Sequence, residues 1–153
     1  MDIEEQKDIF NMFHDGSLTP FHQVDNDLHF EVEIEYLAQM LHPTYHHFKG
    51  ILKNCRRLTL TFWDDEAIIE DRDRINALVD ELEIANAASH PDGVSIYCHR
   101  YGWLSHDRYG SLPSGELFVV CDAIMLFDEA GQAMGSDDLR TICQNYWQGF
   151  GKR

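Results

Sequence analysis

Positive charge is what this chain has least of. Its 153 residues include 12 Lys and Arg against 27 Asp and Glu, a formal net charge of −15 with a pI near 4.7. Nucleic-acid backbones and anionic membranes both bind through cationic groups, so neither is an expected partner. No apolar run approaches the about 20 residues of a membrane-crossing helix. Residues 1–5, Met-Asp-Ile-Glu-Glu, are acidic where a secretory leader would be basic. Cys55, Cys98, Cys121 and Cys143 lie far apart, form no C-x-x-C pair and sit among apolar neighbours, the setting of a free buried thiol. These absences predict a cytoplasmic protein in a reducing compartment.

Catalytic signatures are missing as well. Ser17, Ser105 and Ser111 lack a G-x-S-x-G setting, and Gly102, Gly110 and Gly115 are too widely spaced for a phosphate loop. His14-Asp15 and His106-Asp107 are sequence neighbours, whereas catalytic partners meet in space. Among nine histidines only His42, His46 and His47 cluster; Pro43 keeps His42 out of a helix, and no third ligand follows at a metal-site spacing. The prediction is no catalytic residue, no metal and no cofactor. With no repeat, low-complexity tract or linker, residues 1–153 read as one domain.

What is present is a core and an acidic surface. Hydrophobic residues make up 44% of the chain, with nine Phe, six Tyr and three Trp, enough to bury about two thirds of its unfolded surface. Residues 28–36 read Leu-His-Phe-Glu-Val-Glu-Ile-Glu-Tyr. Leu28, Phe30, Val32, Ile34 and Tyr36 alternate with His29, Glu31, Glu33 and Glu35, so a strand here has one apolar and one acidic face. Three carboxylates about 7 Å apart along one face repel one another, and something beyond local stability must explain them.

Other elements follow from the same rules. Residues 3–13 suit a short helix and 17–24 an edge strand, with Pro20 confining it to the edge. Asp25-Asn26-Asp27 is a turn that makes a hairpin with the acidic strand. Residues 48–55 are expected extended, bulged at Gly50 or Asn54, and 58–62 form a strand that Trp63-Asp64-Asp65-Glu66 ends. A helix over 73–82 precedes a hairpin at Pro91-Asp92-Gly93, where Gly93 supplies positive φ. Residues 117–127 are apolar on both faces except Asp122 and predict a central strand covered on both sides. Ser136 is the expected N-cap of a helix running to about residue 150, with Leu139, Ile142, Cys143, Tyr146, Trp147 and Phe150 as its apolar stripe. The fold class is α+β, a mainly antiparallel β-sheet packed against the C-terminal helix.

Two places invite chemistry. Asp122, inside an apolar run, must be paired, hydrogen-bonded or shifted upward in pKa; it is either a proton carrier in a pocket or the partner of an arginine such as Arg100. The 102–115 loop offers Trp103, His106, Arg108 and Tyr109, and Tyr, Trp and Arg are the residues enriched at binding hot spots.

Phe13-His14-Asp15-Gly16, residues 27–37, and Asn54-Cys55 followed by Leu58-Thr59-Leu60 resemble segments of small stand-alone bacterial proteins. Some of those are similar to the immunity proteins of polymorphic toxin systems, which bind and neutralise a toxin made by the same cell. The resemblance implies a protein partner and no active site. The expected function is therefore a non-enzymatic binding protein whose acidic surface engages a basic protein. Glu31, Glu33, Glu35, Asp64, Asp65 and Glu66 steer the partner, and Trp103 and Tyr109 anchor it. The alternatives are a small-ligand protein or enzyme with a pocket around Asp122, using His99 or His106, and a homodimer whose acidic strand is a charge-guarded edge.

Overall fold

Strands are the main product of this alternating sequence. The computed structural model describes residues 1–100 and 114–151, apart from the side chain of Glu66. The chain opens with α1 (Ile3–Met12), β1 (Ser17–Leu18), β2 (His22–Val24), β3 (Asp27–Glu33) and the short α2 (Glu35–Ala38). It continues through β4 (His47–Lys53), β5 (Arg57–Phe62), β6 (Asp65–Ile69) and α3 (Arg72–Val79). The final elements are β7 (Leu82–Ser89), β8 (Val94–Arg100), β9 (Gly115–Val120), β10 (Ala123–Phe127), β11 (Ala133–Met134) and α4 (Ser136–Gly151).

The architecture is α+β. Among the described residues the 11 strands form one sheet, ordered β11-β10-β4-β3-β1-β7-β8-β9-β5-β6 with β2 beside β3, and all its pairings are antiparallel. The sheet returns on itself because two segments cross from one half to the other side by side. Asn54, at φ 47°, turns β4 into β5, while Cys121 and Asp122 join β9 to β10. The Asp122 N–H donates to the Lys53 carbonyl at 2.9 Å and the Arg56 N–H to that of Val120 at 2.8 Å, so one ladder runs through both breaks.

Inside this bend lies α1. Asp2 caps it by accepting from the Glu5 N–H at 2.8 Å, and Glu4 and Glu5 suit the positive end of the helix dipole. Phe10 stacks on Phe30 at 6.3 Å between centroids, and Phe13 meets Phe48 at 5.4 Å. Leu52, Leu60, Ile84, Ile96, Leu117 and Val119 complete the same core. The Gln6 amide, also buried, donates to the Cys121 carbonyl at 3.2 Å and ties the helix to the β9–β10 break.

Several sequence expectations are corrected. The 28–36 strand ends at Glu33; Glu35 opens α2 instead, because the Ile34 N–H is taken by the His46 carbonyl and the chain turns under β4. The 17–24 strand is broken in two around Pro20, which cannot donate to a ladder. There is no bulge at Gly50. Its register with Phe30 and Leu126 is continuous, and glycine is there because a Cβ would stand 2.6 Å from the Phe30 ring. Register shifts fall instead in β7, between Ile84 and Asn86, and in β5 against β6, between Thr61 and Phe62. The expected single strand over 117–127 is two strands, each with a half-buried or exposed outer face, as at Phe118 and Met125. Leu82 starts β7 and does not end α3. Asp65 and Glu66 open β6, so the turn is Trp63-Asp64 alone. Ser136 is the first residue of α4 and its hydroxyl donates to Glu5 at 2.7 Å, while Asp138 accepts from the Gly135 N–H at 2.8 Å.

A candidate partner-binding surface

The C-terminal helix carries more apolar surface than the core takes up. Leu139 and Ile142 are buried, Cys143 and Tyr146 partly so, and then the same stripe emerges: Trp147 is 44% exposed and Phe150 58%. These rings stay together. Tyr146 meets Tyr36 at 4.6 Å and Trp147 at 5.1 Å, Trp147 meets Phe150 at 5.8 Å, and His14 stacks on Trp147 at 5.8 Å. A hollow of about 350 Å³ on one side of the ridge is lined by Tyr36, Met40, Tyr146 and Phe150. On the other, a hollow of about 460 Å³ is lined by Met12, His14, Cys143 and Trp147. Exposed aromatic and methionine surface of this kind is characteristic of binding sites.

Carboxylates border it. Glu35 directly precedes Tyr36, and Asp15, held at φ 72°, is close enough to act on the Tyr36 hydroxyl. Burial first, and then the Asp15 charge, push the Tyr36 phenol up to about 12, so it remains a donor and reaches the His14 carbonyl at 3.4 Å. In the register, Ser17 stands between Glu33 on β3 and Glu83 on β7, which places both carboxylates in one row across the sheet. His47 lies opposite Glu33 and His99 opposite Glu83. Burial, and next the Asp15 carboxylate, raise the Glu83 carboxyl above its ordinary range.

A carboxyl with a raised folded-state pKa binds its proton more tightly folded than unfolded. Its contribution is therefore fully present at low pH and is lost as pH rises through the raised value. Glu83→Gln is expected to raise the thermal midpoint at neutral pH. The gain should vanish below about pH 4, where glutamate is protonated in both states. Calorimetry at the two pH values checks this, and a gap of the same size at both would refute it.

The residues predicted from sequence divide. Glu35 directly precedes Tyr36 of the aromatic ridge and accepts from the Gln39 amide at 2.9 Å, while Glu33 is exposed at the end of β3. Glu31 is half-buried and turned toward β4, opposite Lys49 and 3.7 Å from His47. That cross-strand pairing relieves the repulsion along β3, which the strand's own sequence could not reveal. Glu33 stands between His47 on β4 and Ser17 on β1. Asp64 and Asp65 stand at the β5–β6 hairpin beside Trp63, 63% exposed, and four strands separate β5 from β3 in the sheet order. Glu66 begins β6 with them. Trp103 and Tyr109, with His106 and Arg108, lie outside the described residues. The ridge itself was missed: Tyr146, Trp147 and Phe150 read as core because a helical stripe does not say where the core ends.

The edge reading of the acidic strand is corrected, since β3 is hydrogen-bonded on both sides, to β4 and to β1 and β2. Asp122 is exposed at the β9–β10 break. It accepts from the Asn54 amide at 2.9 Å and pairs with Arg56, contacts that hold it below the usual carboxylate range. Arg100 pairs elsewhere, donating to Glu81 at 2.7 Å. His46 and His47 give their backbone N–H groups to Glu129, at 2.8 and 3.3 Å, and His42 accepts from the Thr44 N–H. No group of three metal-ligating side chains occurs among the described residues.

One constellation looks catalytic: Ser95 Oγ lies 2.7 Å from His90 Nε2 and also bonds Glu116. The Ser95 residue is 0% exposed, and its single proton goes to Glu116, so the ring donates to the hydroxyl. A nucleophilic serine needs the reverse, with the imidazole as acceptor. The trio is a structural bridge between β8 and β9. The four cysteines are free, and burial pushes the Cys98 and Cys121 thiols up to about 12, leaving them inert.

No family model, curated protein or solved structure matches the chain. Among the described residues no helix is long and apolar enough to cross a membrane.

Proposed function

We propose that this chain is a binding protein, of the immunity-protein kind, that captures a basic protein partner on the aromatic ridge of α4 and α2. The observation that carries the reading is the exposed end of the α4 stripe, Trp147 and Phe150, continuous with Tyr146, Tyr36 and Met40 and bordered by carboxylates. Aromatic anchors surrounded by charge are the usual anatomy of an energetic centre with a steering rim. Glu33, Glu35 and Asp15 supply the rim here, and the net charge of −15 extends the attraction beyond it. A toxin that acts on nucleic acid carries the complementary charge, because its substrate is a polyanion.

The test is the association rate with a basic protein recovered by pull-down from the native host, measured at low and high salt. Steered association falls steeply with salt, and Glu33→Lys with Glu35→Lys is expected to slow it by about tenfold at low salt while changing dissociation little. A rate indifferent both to salt and to this double reversal would end the proposal.

A further inference from the structure

In a chain so poor in cations, three arginines meet at one cavity. Arg56 and Arg57, at the start of β5, and Arg72, the first residue of α3, line a hollow of about 310 Å³ with Cys55, Thr59 and Glu70. Arg56 is paired with Asp122, and the Arg57 guanidinium lies over the Phe118 ring, 5.4 Å from its centroid. Arg72 differs from both: its Nε and Nη1 are buried without a hydrogen-bond partner among the described residues. A buried charged donor lacking an acceptor is unfavourable, and the planar fork of a guanidinium is matched by a carboxylate or phosphoryl group. The end of α3 is not what attracts the anion, since Asp71 already accepts from the Asp73 N–H at 3.0 Å. Among the described residues, Glu70 is the single carboxylate on the lining, against three guanidinium groups.

We propose that this cavity binds a small phosphate ester, with phosphoryl oxygens held by Arg72 and Arg57 and with Arg56 shared between the ligand and Asp122. The volume lies at the lower end of the range of small-molecule sites, which leaves room for an organic group over Cys55 and Thr59. Affinity must come from short charge-assisted hydrogen bonds, because the field of the whole protein repels anions. No residue of the aromatic ridge lines the cavity, so the proposal stands apart from the partner-binding reading.

Titration of inorganic phosphate and of phenyl phosphate into the full chain, at constant ionic strength and with chloride as control, tests it. The expected result is saturable binding of both, tighter for phenyl phosphate, with slower alkylation of the Cys55 thiol as the site fills. Arg72→Gln should weaken binding at least tenfold with an unchanged circular-dichroism spectrum, whereas Arg74→Gln, an exposed cation outside the lining, should not. A response matched by chloride, equal losses in the two variants, or exclusion of phenyl phosphate would overturn the proposal.

Discussion

Replacing Trp147 and Phe150 together by alanine should weaken binding of the basic partner by about 3 kcal/mol or more, over a hundredfold in Kd, while leaving the protein folded. The two effects separate because of where these rings stand. Each has its inner face on Tyr146 and its outer face in water, 44% and 58% exposed, so truncation removes little that the core relies on. A partner would cover that outer face and desolvate it, which is where aromatic anchors yield most of their energy. The unfolding free energy should change by only about 1 kcal/mol, as for other half-exposed positions. Calorimetric titration with parallel denaturant unfolding checks both numbers. Unchanged affinity would move the interface off α4, towards Trp63 or the carboxylates of the β5–β6 hairpin.

Gly93→Ala should be among the most damaging single substitutions, costing about 3 kcal/mol and lowering the thermal midpoint by roughly 6–12 °C. The Pro91-Asp92-Gly93 turn was expected to need glycine for positive φ, yet Gly93 is not among the residues with positive φ. Glycine is required by proximity. A Cβ there would lie 2.2 Å from the Val119 carbonyl oxygen and 3.1 Å from its carbon, because Val94, the next residue, pairs with Val119 in the β8–β9 ladder. A backbone atom cannot swing aside as a flexible side chain can, and moving it would strain β9 between its two neighbours, β8 and β5. The Gly93 carbonyl, which accepts from the His90 N–H at 2.9 Å, would be displaced as well. Thermal unfolding measures the loss, and a variant as stable as the parent would show that β9 is free to shift.

Period-2 alternation made β3 and β5 legible, although of the two only β3 buries every second residue and β5 buries Thr59 as well, while the turn at 91–93 marked the β7–β8 hairpin. The Ser136 cap and the apolar stripe did the same for α4 to within one residue. What misled was continuity. The run over 117–127 reads as one strand, and only the crossing of the β4–β5 and β9–β10 segments reveals that it is two. The helical stripe from Leu139 to Phe150 likewise reads as uniformly buried, although the core it faces ends near Ile142. The β5–β6 hairpin went unseen because its second strand, Asp65–Ile69, begins with acidic residues.

The sequence by itself determined the class of structure, the excess of acid and the lack of a catalytic signature, because each follows from residue type and local spacing. The tertiary structure decided which carboxylates have opposing partners and which aromatics remain in water. Glu31 faces Lys49, Asp122 is joined to Arg56, Glu35 lies 3.4 Å from His46, and the rings of Tyr36, Tyr146 and Trp147 meet at the end of α4. Those pairings join residues up to 111 positions apart, as with Tyr36 and Trp147. Such contacts are set by strand order and by the depth of the core, and neither quantity is local.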